Sequence, residues 1–454
     1  MTDKPLATLD IRDPRDGRPV GALRAATATE AAEAVRTARR AQPDWAATPA
    51  ADRGAALRAA ATSLRVHATD LANLVATETG RPFGSAHEGV LAGAGTLEQY
   101  AELGPVHRGR SLQGGPDAAD FMIPGPRGVV VALTPWNDPV AVACGLLGAA
   151  LVTGNAVVHK PSERCPHTGL LVGSLLAGHL PAGVAQTLPG DGEVGAALAA
   201  DPHVAVVAHV GGTASGRSVA AAAARTGAKV LLENGGNDPL LVDEDVDPVW
   251  AAGQAALGAF TNAGQLCTSV ERIYVHQAVA EPFLAALCDE ARAWNADPQP
   301  LVDARHRDAV HAHVADAVAA GARLLVGGRL PEETGSRYPA TVLDGCEPGM
   351  RVMREETFGP VAPVRVVASF EEALAEACDD EHGLAATVLT ASMAHAQRAW
   401  RALPVGTVKV NAVFGGAPGG AAQPRGASGT GFGYGPELLD EMTTTKVVHL
   451  GVPG

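Results

Sequence analysis

The chain has 454 residues, 46% of them hydrophobic, and a formal net charge of −14. That length exceeds what one core usually serves, so two or more domains are expected, and the apolar content excludes a disordered chain. The acidic balance, with no basic cluster, argues against nucleic acid and against anionic membranes as partners.

The first residues, Met1-Thr2-Asp3-Lys4-Pro5, lack the apolar core of a signal peptide. The longest apolar stretch, residues 140–152, is too short to span a bilayer and reads as a buried helix. Six cysteines, Cys144, Cys165, Cys267, Cys288, Cys346 and Cys378, are scattered without pairs at metal-ligand spacing. Reduced thiols in a cytoplasmic protein that needs no metal are the expectation.

Along the chain, residues 28–105 carry apolar residues at three- and four-residue spacing and predict helices. Residues 106–126 are rich in Gly, Pro and Asp and read as an extended hairpin or a surface loop. From Gly128 short β-rich runs alternate with Ala-rich helices. Strands are predicted at 128–133, 156–160, 204–208 and 230–232, with helices from about residue 140, over 168–180 and from 217. Continuous apolar strands separated by helices imply a parallel sheet covered on both faces. Such sheets bind ligands at the carboxyl ends of their strands, where Asn137, Lys160, Gly211 and Glu233 fall. A second α/β series runs over residues 240–413, with strands at 272–275, 361–366 and 407–411. A Gly- and Pro-rich tail from 414 then ends in a strand-like run at 446–450.

The chemistry centres on Gly264-Gln265-Leu266-Cys267-Thr268, which places a cysteine just after a glycine turn, and on Glu233-Asn234-Gly235-Gly236. A thiol needs a nearby base or a lowered pKa to attack a carbonyl at neutral pH, and a Gly-rich turn lets backbone approach a small ligand. Each residue also has a plainer reading. Cys267 alone is as readily a small buried hydrophobe, and Asn137 a helix cap. Lys160-Pro161-Ser162-Glu163 reads as a solvated helix start, while Glu233 and the pair Glu355-Glu356 read as surface carboxylates. Gly211-Gly212 is not the three-glycine dinucleotide fingerprint.

Seven blocks in order outweigh those readings. They are Thr134-Pro135-Trp136-Asn137, Lys160-Pro161-Ser162-Glu163, Gly211-Gly212-Thr213-Ala214-Ser215-Gly216, Glu233-Asn234-Gly235-Gly236, Gly264-Gln265-Leu266-Cys267, Glu355-Glu356-Thr357-Phe358-Gly359-Pro360 and Ser428-Gly429-Thr430-Gly431. Through them the chain resembles the NAD(P)-dependent aldehyde dehydrogenase superfamily over residues 10–449. The resemblance implies an α/β fold with a Rossmann-type cofactor domain (1–105 and 127–235) and an α/β catalytic domain (236–413). It also implies a return segment near the active site (414–431) and a small oligomerisation arm (106–126 and 432–454) that makes a homodimer or homotetramer.

It further implies that Cys267 attacks an aldehyde, that Asn137 and the Cys267 N–H form the oxyanion hole, and that Glu233 is the general base releasing a carboxylic acid. The implied cofactor contacts are Thr134, Pro135, Trp136, Lys160, Ser162, Glu163, Gly211, Gly212, Gly216, Gly235, Glu356 and Phe358. Among them, Lys160 and Glu163 belong at the adenosine ribose, Glu356 at the nicotinamide ribose and Phe358 against the nicotinamide. Asp138, Leu266, Thr268 and Arg425 are the implied substrate-lining residues.

The chain departs from the family pattern at four places. Asp138 stands where an aromatic residue is usual, and its charge would repel anionic aldehydes and favour polar or cationic ones, unless Asp138 points away or is neutralised. Gly212 replaces Ser, removing a hydroxyl from the cofactor pyrophosphate, although helix-start N–H groups can still hold an anion. Asn237 replaces the commoner Lys. The segment Gln423-Pro424-Arg425-Gly426-Ala427-Ser428-Gly429 is shortened, and Arg425 within it is a candidate anchor for a carboxylate or phosphate-like tail. Asp138 and Arg425 thus point to substrates of opposite charge. Two competing functions are a CoA-acylating semialdehyde dehydrogenase, disfavoured by Glu233, and a non-catalytic scaffold, disfavoured by the joint presence of Cys267, Glu233 and Asn137. Glu163 suits the ribose hydroxyls of NAD, whereas Lys160 and Arg164 can offset it and leave NADP open.

Overall fold

The β-rich run from residue 128 folds into a six-stranded sheet. Its order is Gly429–Thr430, Lys229–Glu233, Val206–Val210, Val129–Leu133, Ala156–Lys160 and Ala185–Thr187. Neighbours are parallel except Gly429–Thr430, which pairs antiparallel. The structure, a computed structural model, describes residues 7–331, 335–416 and 420–452. The Met1–Pro5 reading, the outer ends of the expected domains (1–6 and 453–454) and residues 417–419 of the return segment lie outside the described residues.

Strand order reverses between Val129–Leu133 and Val206–Val210, the switch point at which open α/β sheets leave a crevice. One face of the sheet is covered by the helices Ala50–Val66, Ala68–Thr79, Phe83–Val106 and Pro139–Val152, and the other by Ala28–Ala47 and Thr213–Thr226. Pro139–Val152 is apolar nearly all round and buried on almost every side, as its composition requires. Pro139 opens its first turn, where the missing N–H costs no helical bond.

Several boundaries differ from expectation. The third predicted strand lies two residues later, at Val206–Val210, and the following helix starts at Thr213, not at 217, with Gly212 as its N-cap. Gly216 therefore sits inside a helix, and Glu233 is the last residue of its strand. The three-residue strand Ala185–Thr187 and the hairpin Thr8–Arg12 with Pro19–Arg24 escaped the pattern, being short or half exposed.

The second α/β series forms a seven-stranded sheet in the order Arg323–Val326, Thr341–Asp344, Val361–Val367, Val270–His276, Asp238–Val242, Ala385–Leu389 and Thr407–Val410. All neighbours are parallel except the Arg323–Val326 edge. Separate apolar cores cover its two faces.

Residues 106–126 resolve as a hairpin. Arg110–Leu112 and Ala118–Pro126 join Thr443–Gly451 in a three-stranded antiparallel sheet, with Thr443 opposite Pro126 and Gly451 opposite Ala118. Before that last strand, the helix Glu437–Glu441 buries Leu438 and Leu439 in the core of the first unit. The extended part of the tail thus begins at Thr443.

The return segment ties the two large sheets together. Arg425–Gly426 pairs with His382–Gly383 of the second unit, and Gly429–Thr430 with the end of the Glu233 strand. Between them the fully buried Ser428 accepts the Gly383 N–H at 3.0 Å and donates to the Gly235 carbonyl at 2.8 Å. No helix among the described residues is long and apolar enough to cross a membrane.

Candidate active site

Of the six cysteines, Cys267 is the exposed one; Cys144, Cys165, Cys288 and Cys346 are buried and Cys378 is intermediate. Its loop is strained. Asn262 and Ala263 have φ of 52° and 55°, and Gly264 follows at 71°, a region that non-glycine residues seldom occupy. A side chain at Gly264 would collide with the Gly359 carbonyl, so this close approach requires glycine. Gln265 holds the turn from inside. Its Nε2 donates to the Asn262 carbonyl at 2.9 Å and its Oε1 accepts the Val302 N–H at 2.9 Å. The Gly264-Gln265 pair therefore shapes the turn that presents Cys267 to solvent.

Four carboxylates surround this loop. Glu233 lies against Gly433, where any side chain would meet its carboxylate, and its Oε1 is buried without a partner. Burial pushes the Glu233 carboxyl up to about 7, opposed by the Gly433 N–H. Glu356 rests on Gly235, where a Cβ would strike its carboxylate; burial pushes it too up to about 7. Glu271 and Asp238 lie deeper and are held well above the carboxylate range, first by burial. The crowding of protein around Cys267, then the charges of Asp238, Glu233 and Glu356, push its thiol up to about 12. Solvent nevertheless reaches Cys267. The same charges place Glu233, Glu356 and Asp238 round one centre. The Cys267 carbonyl oxygen lies beside Gly236, which brings the Glu233 turn against the Cys267 loop.

Asn137 reaches the same loop from the first unit, its Nδ2 donating to the Gln265 carbonyl at 3.0 Å. Arg81 fixes its backbone, donating to the Asn137 carbonyl at 3.0 Å and pairing with the Asp138 carboxylate at 2.9 Å. Asp138 is thus neutralised by a mostly buried guanidinium, and its charge is not free to repel an anionic substrate as the sequence suggested. Nothing in the sequence pattern marked Arg81, because it lies in the short connection between the helices Ala68–Thr79 and Phe83–Val106. Asn237 donates to Asp380 at 2.9 Å and its carbonyl accepts from the buried Arg272 at 2.7 Å, so it pins the strand after the Glu233 turn. Leu266 and Thr268 flank Cys267, half-buried. Arg425 is exposed on its short strand and has no ion pair among the described residues.

A cavity of about 750 Å³ opens at the switch point of the first sheet, within the size range of ligand pockets. Thr134, Pro135, Trp136, Lys160, Ser162, Glu163, Gly211 and Gly212 all line it. Gly216, Gly235, Glu356 and Phe358 do not: Gly216 packs against Asn234 inside its helix, Gly235 lies against the Glu356 carboxylate, whose charge bears on Cys267, and Phe358 packs on Trp136 and His306. The floor is built to take an anion. The helix Thr213–Thr226 starts at the cavity, which Gly212, Ala214 and Ser215 line, and a helix start offers unpaired N–H groups to an anion; the Lys160 ammonium sits 3.6 Å from Glu163. Arg164 spans the cleft to Asp303 at 2.8 Å and lies 5.3 Å over the Trp136 ring. Trp136 in turn meets Phe358 edge-on at 5.6 Å. Sequence reading missed Arg305 and His209, which also line the cavity, since neither belongs to a recognisable block.

Residues 1–448 match the aldehyde dehydrogenase family. A betaine aldehyde dehydrogenase of Cereibacter sphaeroides is 35% identical, covering all of this chain and 95% of the relative. Among solved structures, lactaldehyde dehydrogenase of Escherichia coli superposes with a TM-score of 0.94 at 32% identity, over 98% of this chain and 96% of that one. Betaine aldehyde dehydrogenase of Staphylococcus aureus, solved with NAD+, gives 0.95 at 30% identity over 98% and 92%. On this agreement of sequence, fold and coverage, the chain belongs to the aldehyde dehydrogenase family and is an NAD(P)-dependent oxidoreductase of aldehydes.

Proposed function

We propose that this enzyme converts a small aldehyde to its carboxylic acid through a thioester on Cys267, with Glu233 as general base and Asn137 in the oxyanion hole. The observation that carries this reading is the meeting of three segments at one exposed thiol. Asn137 bonds to the Gln265 carbonyl at 3.0 Å, Gly236 lies against the Cys267 carbonyl, and the Glu233 charge bears on the Cys267 sulfur.

The Cys267 thiol gives up its proton to the solvent that reaches it, its sulfur bonds to the aldehyde carbon, and the carbonyl electron pair moves onto oxygen. The Asn137 amide spends one N–H on Gln265 and keeps a second for that oxyanion, beside the Cys267 N–H. The bound dinucleotide supplies the hydride acceptor, which leaves a thioester on sulfur. Glu233, with a pKa of about 7, is half ionised at neutral pH and suited to take a proton from the attacking water. Water then replaces sulfur at the acyl carbon, releasing the acid and returning the thiol.

The cavity fits a dinucleotide by its size, its helix N-terminus and its Lys160 ammonium. Lys160, Ser162 and Glu163 would hold the adenosine ribose, and Gly211, Gly212 and the helix start the pyrophosphate. Glu356 and Gly235 would meet the nicotinamide ribose, and Thr134, Pro135, Trp136 and Phe358 would wall the nicotinamide end, with Gly216 giving close helix packing. NAD is the preferred cofactor in this reading. Arg164 is engaged with Asp303, which leaves Glu163 as an uncompensated repulsion for a 2′-phosphate apart from Lys160. Leu266 and Thr268 would line the aldehyde site. With Asp138 paired to Arg81, Arg425 is the remaining charge that can select a tail.

The Thr443–Gly451 strand is a sheet edge with Val447 and Leu450 exposed. Unpaired apolar edges of this kind favour pairing with another chain, so a homodimer or homotetramer is proposed. Unpaired thiols throughout favour the cytoplasm.

Turnover of a panel of aldehydes with anionic, cationic, aliphatic and aromatic tails, with NAD or NADP and with or without CoA, tests the reading. Reduced cofactor formed without CoA, faster with NAD, is expected. Turnover only with CoA would assign the acylating chemistry instead.

A further inference from the structure

Glu271 follows Cys267 on the strand Val270–His276 and is 4% exposed. Its carboxylate faces the turn that carries Glu356 and Phe358, not solvent. One oxygen accepts the Thr357 N–H at 2.6 Å and the other the Phe358 N–H at 2.9 Å. Those bonds hold an unfavourable backbone, since Phe358 has φ of 51°. On the far side of the turn, His306 Nε2 meets the Phe358 carbonyl at 2.7 Å. The Phe358 ring then packs edge-on against Trp136 at 5.6 Å and against His306 at 6.0 Å. Glu271 therefore clamps, from the strand after Cys267, the turn whose Phe358 ring packs on the cavity-lining Trp136.

We propose that Glu271 is a positioning residue for the cofactor: by using both carboxylate oxygens it fixes the Glu356–Phe358 turn in the form that receives the nicotinamide ribose. This rests on the reading above that Glu356 and Phe358 meet the cofactor. A buried acid is costly to keep, and an apolar or β-branched residue would suit a central strand better. Two backbone donors on a left-handed turn supply the reason for a carboxylate here. A glutamine has one acceptor oxygen and must present its NH₂ to one of the two N–H groups, so it loosens the turn without changing its volume.

The test is steady-state kinetics of the intact enzyme with Glu271→Gln and Glu356→Gln, each with NAD varied at saturating aldehyde. Glu271→Gln should raise the KM and the directly measured Kd for NAD about tenfold, the worth of one hydrogen bond to a buried acceptor. Its kcat at saturating NAD should stay within about threefold and its KM for aldehyde should not change, a split that general loosening would not give. Glu356→Gln should raise the KM for NAD as well. If Glu356→Gln leaves NAD binding alone, the underlying assignment of Glu356 fails. If Glu356→Gln weakens NAD and Glu271→Gln does not, only the positioning role fails. Glu271→Asp, which withdraws the carboxyl group by one methylene, should reproduce the split should the glutamine variant not fold; unfolding of both would overturn the proposal and make Glu271 a core residue.

Discussion

At the scale of single residues, the resting thiol is poorly poised. With its pKa pushed up to about 12 by crowding and three carboxylates, Cys267 is almost entirely protonated at neutral pH. The oxidised nicotinamide ring carries positive charge, and a cation near a thiol favours the thiolate. Cofactor binding would then arm the nucleophile, keeping it inert towards other electrophiles in the free enzyme. Alkylation of Cys267 by iodoacetamide should accordingly climb with pH beyond 9 in the free protein, and its profile should shift to lower pH when NAD is added. An unshifted profile would mean that the arming comes from elsewhere. The Glu233 carboxyl, raised to about 7 by burial, is protonated below that value and cannot act as base, so acid release should fall as pH drops through 7. The two ionisations make catalysis rise with pH, the thiol one being relieved by cofactor.

At the scale of elements, the site is assembled by loops held at fixed strand ends. Gly235 shows how tightly, since a Cβ there would meet the Glu356 carboxylate. Gly235→Ala should displace Glu356 and raise the KM for NAD at least about tenfold, while the thermal midpoint stays close to the parent's; cofactor titration and a melting curve check both. The parallel strands around the site were legible because each is a continuous apolar run, as in Val129–Leu133 and Ala156–Lys160. The edge strands Ala185–Thr187 and Arg323–Val326 were not, the first having no apolar run and the second only three apolar residues, Leu324 to Val326, too short a run to mark a strand. The helix at Thr213 was placed late, since small residues after Gly212 look like a loop although a glycine N-cap can start a helix. Cys267, Glu233 and Asn137 stood out through their blocks, and the structure brings their segments together. Arg81 and Glu271 did not, because each acts on backbone far away in sequence. The charge of Asp138 was misleading for the same reason, its partner Arg81 lying on another element.

At the scale of the molecule, the two large sheets are bound by the return segment and the cleft is lined from both units, by Trp136 and by Arg305; in the proposed reading the nucleophile comes from one unit and the cofactor cavity from the other. The Arg164–Asp303 pair crosses that cleft at 2.8 Å, and Ser428 joins its two sides from within. The three-stranded sheet at the periphery exposes Val447 and Leu450 on its Thr443–Gly451 edge. Replacing both by Asp should convert an oligomer to monomers in light scattering without unfolding the chain, because neither side chain belongs to a core; an unchanged mass would remove this edge from the interface. The central claim is that the reaction passes through a thioester on Cys267 that Glu233 is needed to hydrolyse. The most direct measurement is mass spectrometry of Glu233→Gln mixed with an accepted aldehyde and NAD, quenched in acid and digested. An acyl group on the Cys267 peptide, formed only when both aldehyde and NAD are present and matched by one equivalent of reduced cofactor, is the predicted result. Steady turnover at the parent rate with no acyl group on Cys267 would contradict it.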